Sequence, residues 1–218
     1  MEAAEQVAQQ ARGYGGLVKT YQADLLDPEQ AKRLIADFTN DFANGSNKEL
    51  LLINSASIYE RDRLHDFEID VWHRHMDLNT LSPVLLTKEF TCDAQAKRSV
   101  INILDQKVTN LTPDYLSYTV SKYALYGITQ MLAMELAPIC RVNGIALGLV
   151  LRSGDQTDEE FQKEFTNTPL KKGPALSEIC KVVTLIAETG SMTGQILTID
   201  GGRHMVRPVP PYDDFLEK

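Results

Sequence analysis

Cysteine is scarce: Cys92, Cys140 and Cys180 are the only three in 218 residues, odd in number and far apart. That spacing excludes a disulfide framework and a zinc-ligand pair, and predicts reduced, mostly packed thiols in a cytosolic protein. Positive charge is in deficit, with 22 Lys and Arg against 30 Asp and Glu, a formal net charge of -8. A surface built for nucleic acid is excluded on that balance. No apolar run approaches the ~20 residues a helix needs to cross a bilayer, so no membrane partner is expected. The start, Met1-Glu2-Ala3-Ala4-Glu5, is acidic and lacks signal-peptide character. There is no internal repeat, no low-complexity block and no linker. The simplest reading is one domain over residues 1–205, followed by an irregular tail at 206–218 that holds Pro208, Pro210 and Pro211.

What is present is an alternation of helix and strand patterns. A helical stretch at 2–12 precedes a predicted strand at Leu17–Gln22. Asp27-Pro28-Glu29-Gln30 reads as a helix start, with an N-cap aspartate, proline in the first turn and glutamine at the capping-box position. Ala31, Leu34, Ile35, Phe38 and Phe42 then fall on one helical face, and Asn44-Gly45 ends it. Leu50–Ile53 is a short continuous apolar run of the kind found in a strand covered on both sides, and Ser99–Leu104, Val142–Ala146 and Gln195–Ile199 read as further strands. Helical patterns lie near 68–90, 114–137, 156–165 and 176–188. Such alternation predicts a doubly wound α/β fold, a parallel sheet flanked by helices.

The strongest chemical signal is Tyr118-Thr119-Val120-Ser121-Lys122. Positions i and i+4 share a helix face, so a phenol and an ammonium can point into one cleft. A nearby cation favours the phenolate and makes the tyrosine a better acid/base. Alone, such a pair is ordinary helix-surface chemistry. Its context differs: the helix directly follows an apolar strand ending in Asp105, and ligands of open parallel sheets bind at the carboxyl ends of strands. Asn54-Ser55-Ala56-Ser57 ends the strand before it, and Asn79 interrupts a long helical pattern where a poor helix former needs a reason.

Together these segments resemble the short-chain dehydrogenase/reductase family. Asn54-Ser55-Ala56 is similar to its NNAG segment, Asn79 to its helix asparagine, and Tyr118 with Lys122 to its YxxxK pair. Arg141–Gly148 resembles its RVNxIAPG strand and turn, with Leu147 where proline is usual, and Thr193-Gly194-Gln195 with Asp200-Gly201-Gly202 resembles its C-terminal strand and turn. The family's serine, thirteen positions before the tyrosine, is replaced here by Asp105. That aspartate, Asn54–Tyr59 and Gly201-Gly202-Arg203-His204 resemble the pteridine-reductase-like branch. Asp105 is also a common kind of strand-end turn residue.

The resemblance implies a Rossmann-like fold and hydride transfer from NADPH to a C=N or C=O bond, with dihydropterin or dihydrofolate as the expected substrate. Tyr118 would supply a proton. Lys122 would hold the nicotinamide ribose and lower the tyrosine's pKa. Asn79 would support a water chain to Lys122, and Asp105 would bind the substrate ring or relay a proton. Asp24, Asn54, Ser55, Ala56 and Gly148 would join Tyr118 and Lys122 around the cofactor, although a turn aspartate explains Asp24 equally well. Ser57, Tyr59 and Asp105 would meet the substrate, Tyr59 by stacking on the pterin. A homodimer or homotetramer is implied, with the helices at 68–90 and 114–137 at the interface. Two rival readings remain, a carbonyl or alcohol reductase and a non-catalytic Rossmann-like module.

Other features are discounted. Gly13-Tyr14-Gly15-Gly16 precedes a strand instead of linking strand to helix, so it reads as a turn and not a phosphate loop. His73 and His75 are two apart on a helix and diverge, so no metal is expected. Residues 1–12 resemble the family's second helix. The expectation is therefore that the first strand, the phosphate loop, the first helix and the second strand are absent, with activity belonging to a longer form. In that case Leu17–Gln22 and Leu50–Ile53 are expected to pair directly, with the helix from Pro28 as crossover, and the adenine half of the cofactor site is expected to be missing.

Overall fold

The structure, a computed structural model, describes residues 2–43, 49–92, 97–152 and 156–206. Asn44-Gly45, expected as a helix stop, and residues 207–218 of the expected tail lie outside the described residues. Four strands form one sheet in the order β1 (Leu50–Asn54), β2 (Arg98–Asp105), β3 (Cys140–Leu147) and β4 (Ile196–Ile199). All three pairings are parallel, in the register Leu50 with Arg98, Arg98 with Cys140, and Gly144 with Ile196.

The helices are α1 (Glu2–Arg12), α2 (Pro28–Phe38), α3 (Ile69–Met76), α4 (Ser82–Thr91), α5 (Leu116–Glu135), α6 (Asp158–Phe165) and α7 (Leu176–Glu188). Side chains alternate across a strand, so neighbours on β2 serve opposite faces. Val100 packs with Ala31 and Ile35 of α2, Leu86 and Phe90 of α4, and Ala133 of α5. Ile101 packs on the other face with Ile145 and with Ile186 of α7. Covering both faces is what the apolar strands require. The Asp27 carboxylate caps α2 by accepting from the Glu29 and Gln30 N–H groups.

Two expectations are corrected. Leu17–Gln22 forms no strand, and among the described residues β1 pairs only with β2. Lys19, Thr20 and Gln22 would have to be buried in a strand covered on both faces, and polar side chains resist that. The segment is tied instead by side chains. Arg12 donates to the Val18 carbonyl at 3.2 and 3.1 Å, Thr20 to Glu5 at 3.1 Å and Tyr21 to Asp41 at 2.5 Å. The thiols are also less packed than expected: Cys140 is buried, but Cys92 and Cys180 are exposed. The Gly13–Gly16 stretch is a turn after α1, with Gly15 at φ 85°.

Candidate active site at the carboxyl ends of the strands

Asp105 closes β2 and engages two partners. One carboxylate oxygen accepts the Lys107 N–H at 2.8 Å and so caps the short turn that follows. The other accepts the Tyr118 hydroxyl at 2.9 Å. The turn reading and the site reading of Asp105 therefore hold together. Tyr118 lies one turn into α5, is 6% exposed, and meets the Tyr59 ring edge-on at 4.7 Å. Burial first, and then the Asp105 carboxylate, push its hydroxyl well above the ordinary tyrosine value.

Lys122 follows on the same face. Its ammonium donates to the Ile103 carbonyl at 3.0 Å and lies 5.8 Å from the Tyr118 ring centroid. Burial pulls its pKa down to about 8, partly opposed by Asp105. Burial and Asp105 act on the tyrosine in the direction opposite to that expected of the lysine. Both favour its neutral, protonated form in the structure.

Asn79 occupies a π-helical turn, Asp77–Leu81, between α3 and α4. Such turns are rare and often mark functional positions. Its carbonyl oxygen accepts from the Ser57 hydroxyl at 3.1 Å and the Ile58 N–H at 2.9 Å. Its amide donates to the Ile58 carbonyl and the Ser121 hydroxyl, both at 3.1 Å. A primary amide has two donors and two acceptor lone pairs, so this side chain has none left for a water. The side chain thereby clamps the loop after β1 to α5.

The same loop is held twice more. The His75 ring takes the Glu60 N–H at 3.2 Å on Nε2, and its Nδ1 lies 2.9 Å from the Val71 carbonyl, which fixes the tautomer. Asp62, 2% exposed, accepts the Ser117 N–H at 3.1 and 3.2 Å and also the Ser117 hydroxyl. Its backbone carbonyl takes the Leu116 N–H at 3.2 Å. Asp62 thereby serves the orphan donors at the start of α5, which the adjacent Tyr115 side chain does not cap.

A cleft of about 820 Å³ opens over these groups, and Ser55, Ser57, Tyr59, Asp105, Tyr118, Lys122 and Gly148 all line it. A Cβ on Gly148 would sit 2.7 Å from the Asp200 backbone, so only glycine lets β3 and β4 end this close together. Asn79 stands behind the wall. Asn54 and Ala56 face a separate apolar cavity of about 260 Å³ beside β1, which Ser55 also reaches. Asp24 lines neither cavity; its carboxylate accepts the Leu26 N–H at 3.0 Å in a local turn. Asn54 donates to Asn102 at 2.8 Å, while its own carbonyl oxygen is buried without a partner.

Several lining residues escaped the sequence reading. Tyr115 stacks on Tyr59 at 4.2 Å with a 12° interplanar angle, so one face of the expected stacking ring is already occupied. Tyr115 also holds φ 57°, a left-handed conformation strained for an aromatic residue. Lys107 lies 5.2 Å from the Tyr115 ring centroid and bonds Thr112 at 2.6 Å. Arg61 and Arg63 line the cleft from the loop that Asp62 pins. The polar run Glu60-Arg61-Asp62-Arg63 directly after Tyr59 was the available signal.

The buried ammonium beside a phenol, at the strand ends and open to the cleft, fits the nicotinamide-ribose end of a dinucleotide. Among the described residues, no group of His, Cys, Asp and Glu is arranged to hold a metal ion, and no helix is long and apolar enough to cross a membrane.

The sequence profile described as enoyl-(acyl carrier protein) reductase matches residues 1–204. A dihydromonapterin reductase of Escherichia coli is 28% identical over 189 residues, 80% of this chain and 78% of its own length. The crystal structure of FolM alternative dihydrofolate reductase 1 from Brucella canis, complexed with NADP, superposes with a TM-score of 0.88. That chain is 32% identical, and the match covers 97% of this chain and 83% of the other. An NAD-bound xylitol dehydrogenase, 22% identical, superposes with a TM-score of 0.81 over 92% of this chain and 85% of its own, and shares the fold.

Proposed function

This chain belongs to the short-chain dehydrogenase/reductase family, in its pteridine-reductase-like branch, and we propose that it uses NADPH to reduce a dihydropterin or dihydrofolate ring. The observation that carries this reading is the 2.9 Å bond from the Tyr118 hydroxyl to Asp105 in a cleft that Lys122 also lines. A family serine would offer a neutral hydroxyl at that place. An aspartate offers an acceptor for the N–H and amino groups of a pteridine.

The cofactor supplies the hydride when bound. Tyr118 holds the proton that the ring nitrogen requires once hydride reaches the adjacent carbon. Its raised pKa keeps that proton in place until negative charge develops on the nitrogen, and solvent restores it afterwards. Lys122, buried and cationic below about pH 8, would hold the nicotinamide ribose and offset negative charge on the Tyr118 oxygen. Asp105 fixes the hydroxyl and the substrate ring. Ser55, Ser57, Tyr59 and Gly148 all line the cleft; in this reading Ser57 and Tyr59 would meet the substrate, and Ser55 and Gly148 the cofactor. Asn79 holds Ser57 and α5 at a fixed separation.

The same reading makes the chain one domain over 1–205 and a cytoplasmic homodimer or homotetramer, with exposed Tyr123, Met131 and Met134 on α5 available for the contact. The test is NADPH oxidation followed by absorbance, with dihydropterin, dihydrofolate and simple ketones as substrates. Turnover of the pteridines above the ketones is expected. Preference for ketones overturns the assignment.

A further inference from the structure

The cleft carries more positive charge than ring reduction uses. Besides Lys122, four cations line it: Arg61, Arg63, Lys107 and Arg203. Two of them are engaged. Lys107 bonds Thr112 and lies 3.5 Å from Asp114, and Arg203 donates to the Glu164 carbonyl at 2.9 Å. Among the described residues the Arg61 and Arg63 guanidinium groups have no hydrogen-bond or ion-pair partner. The Nε of Arg63 is moreover shielded from solvent and still unpartnered. A buried N–H without an acceptor is costly, and native sites leave one where a ligand completes it.

The placement of these two groups is built. Asp62 turns inward and bonds Ser117, while the residues on either side of it line the cleft. The Arg63 N–H bonds the Asp66 carboxylate at 2.5 Å, fixing the backbone after it. Both arginines therefore follow Tyr59 on a pinned loop. At about 820 Å³ the cleft lies in the upper part of the ~300–1,000 Å³ range of ligand pockets, leaving room beyond a flat bicyclic ring. With a net charge of -8, the chain as a whole repels an anionic substrate, so two guanidiniums lining the cleft act as a local counter-field.

We propose that Arg61 and Arg63 form a subsite for a carboxylate-bearing tail on the pteridine, which makes the substrate of the folate class, with a glutamyl tail, rather than a pterin with a neutral polyhydroxyl side chain. The inference rests on the reading of the cleft as a pteridine site. Guanidinium forks suit carboxylates because two parallel N–H groups match two oxygens. Lysine would supply charge without that match. Glu164 lines the same cleft and opposes an anion there.

The test compares dihydrofolate with 7,8-dihydrobiopterin, which has a short neutral tail, at saturating NADPH. The ratio of their kcat/KM values is an internal control, because a folding defect lowers both. In the Arg61→Ala/Arg63→Ala protein the ratio of dihydrofolate to dihydrobiopterin should fall about tenfold, through the KM for dihydrofolate. Arg61→Lys/Arg63→Lys should recover part of it, and Glu164→Gln should raise it. An unchanged ratio overturns the proposal. So does a rise in the KM for NADPH with the ratio unmoved, which would assign the arginines to cofactor phosphates. Binding of p-aminobenzoylglutamate alone, read by NMR line broadening, separates this claim from the one it rests on. Wild-type binding that the double variant loses supports the subsite even if neither pteridine is reduced. Equal binding by both proteins overturns it.

Discussion

Two irregular segments of similar length, 13–27 and 55–68, are held in opposite ways. The first is tied by exposed side chains, through Arg12 to Val18, Thr20 to Glu5 and Tyr21 to Asp41. Tyr14 is 93% and Leu17 75% exposed. The second is held by buried side chains that rigid helices carry, Asn79 and His75, and by its own Asp62 driven into the start of α5. Irregular backbone becomes precise enough for chemistry when its polar groups are satisfied from inside the core. Only the second segment lines the cleft.

The sharpest way to test that contrast is at the group the second segment helps to frame. Tyr118→Phe removes one hydroxyl, whose hydrogen-bond partner among the described residues is Asp105. Turnover should fall by roughly 10²–10⁴-fold, the usual worth of a positioned proton donor. Steady-state NADPH oxidation checks it, and a fall of less than about fivefold would assign the proton to another group.

The clamp itself comes next. Asn79→Ala leaves the Ser57 hydroxyl, the Ile58 N–H and carbonyl, and the Ser121 hydroxyl short of a partner. At ~1–3 kcal/mol for each group that stays buried, a loss of about 2–4 kcal/mol is expected after relaxation. Asp62→Ala should cost a similar ~2–4 kcal/mol, because the Ser117 N–H and hydroxyl lose their acceptor. Urea denaturation measures both. If either variant unfolds at the wild-type midpoint, the loop is held by something other than these bonds.

Burial of Lys122 gives a pH-dependent form of the same comparison. Its folded pKa, about 8, lies below the ordinary 10.5. Between those values the unfolded chain binds more protons than the folded one, so stability from this group rises with pH. The gain is complete above the unfolded value and is lost as pH falls through about 8. The slope is at most ~1.4 kcal/mol per pH unit. Denaturation midpoints of the wild type and of Lys122→Met on either side of pH 8 isolate it, since other titrations cancel in the difference. Parallel profiles would mean that the ammonium is solvated.

How much of this was legible depends on how local the cause is. Leu50–Ile53 and Ser99–Leu104 read as strands and both are strands, but the first, expected to be covered on both sides, is half-buried with Ile53 exposed, because it stands at the edge of the described sheet. The Asp27 cap and the face led by Ala31 and Ile35 are equally local, and both are present. Tyr118, Lys122 and Asp105 were readable as a set because four residues on a helix and one strand end bring them together. Leu17–Gln22 misled, since strand formation depends on a neighbouring strand and on what covers it. Asn79 was noticed for breaking a helical pattern, but its work is set by partners 21 and 42 residues away. Asp62 showed only as part of a polar run: it meets Ser117 across 55 residues, and no short-range spacing encodes that. Tyr115, a bulky residue at positive φ, breaks the local rule that favours glycine there, as residues at functional sites often do.

The smallest effects belong to the first segment. Thr20→Val removes one surface hydrogen bond, from Thr20 to Glu5, and exposed contacts of that kind contribute little because water replaces them. No measurable change in Tm is expected, in contrast to Asp62→Ala. Local opening should follow the same division. Amides of 16–23 have no helical or strand pairing, so they should exchange with solvent at the rates of fluctuating loops. The Ile58 and Glu60 amides, also in irregular backbone but bonded to Asn79 and His75, should be protected. Hydrogen exchange read residue by residue by NMR decides it. Equal protection of both segments would dissolve the comparison, because it would mean that surface ties hold the first as firmly as buried ones hold the second.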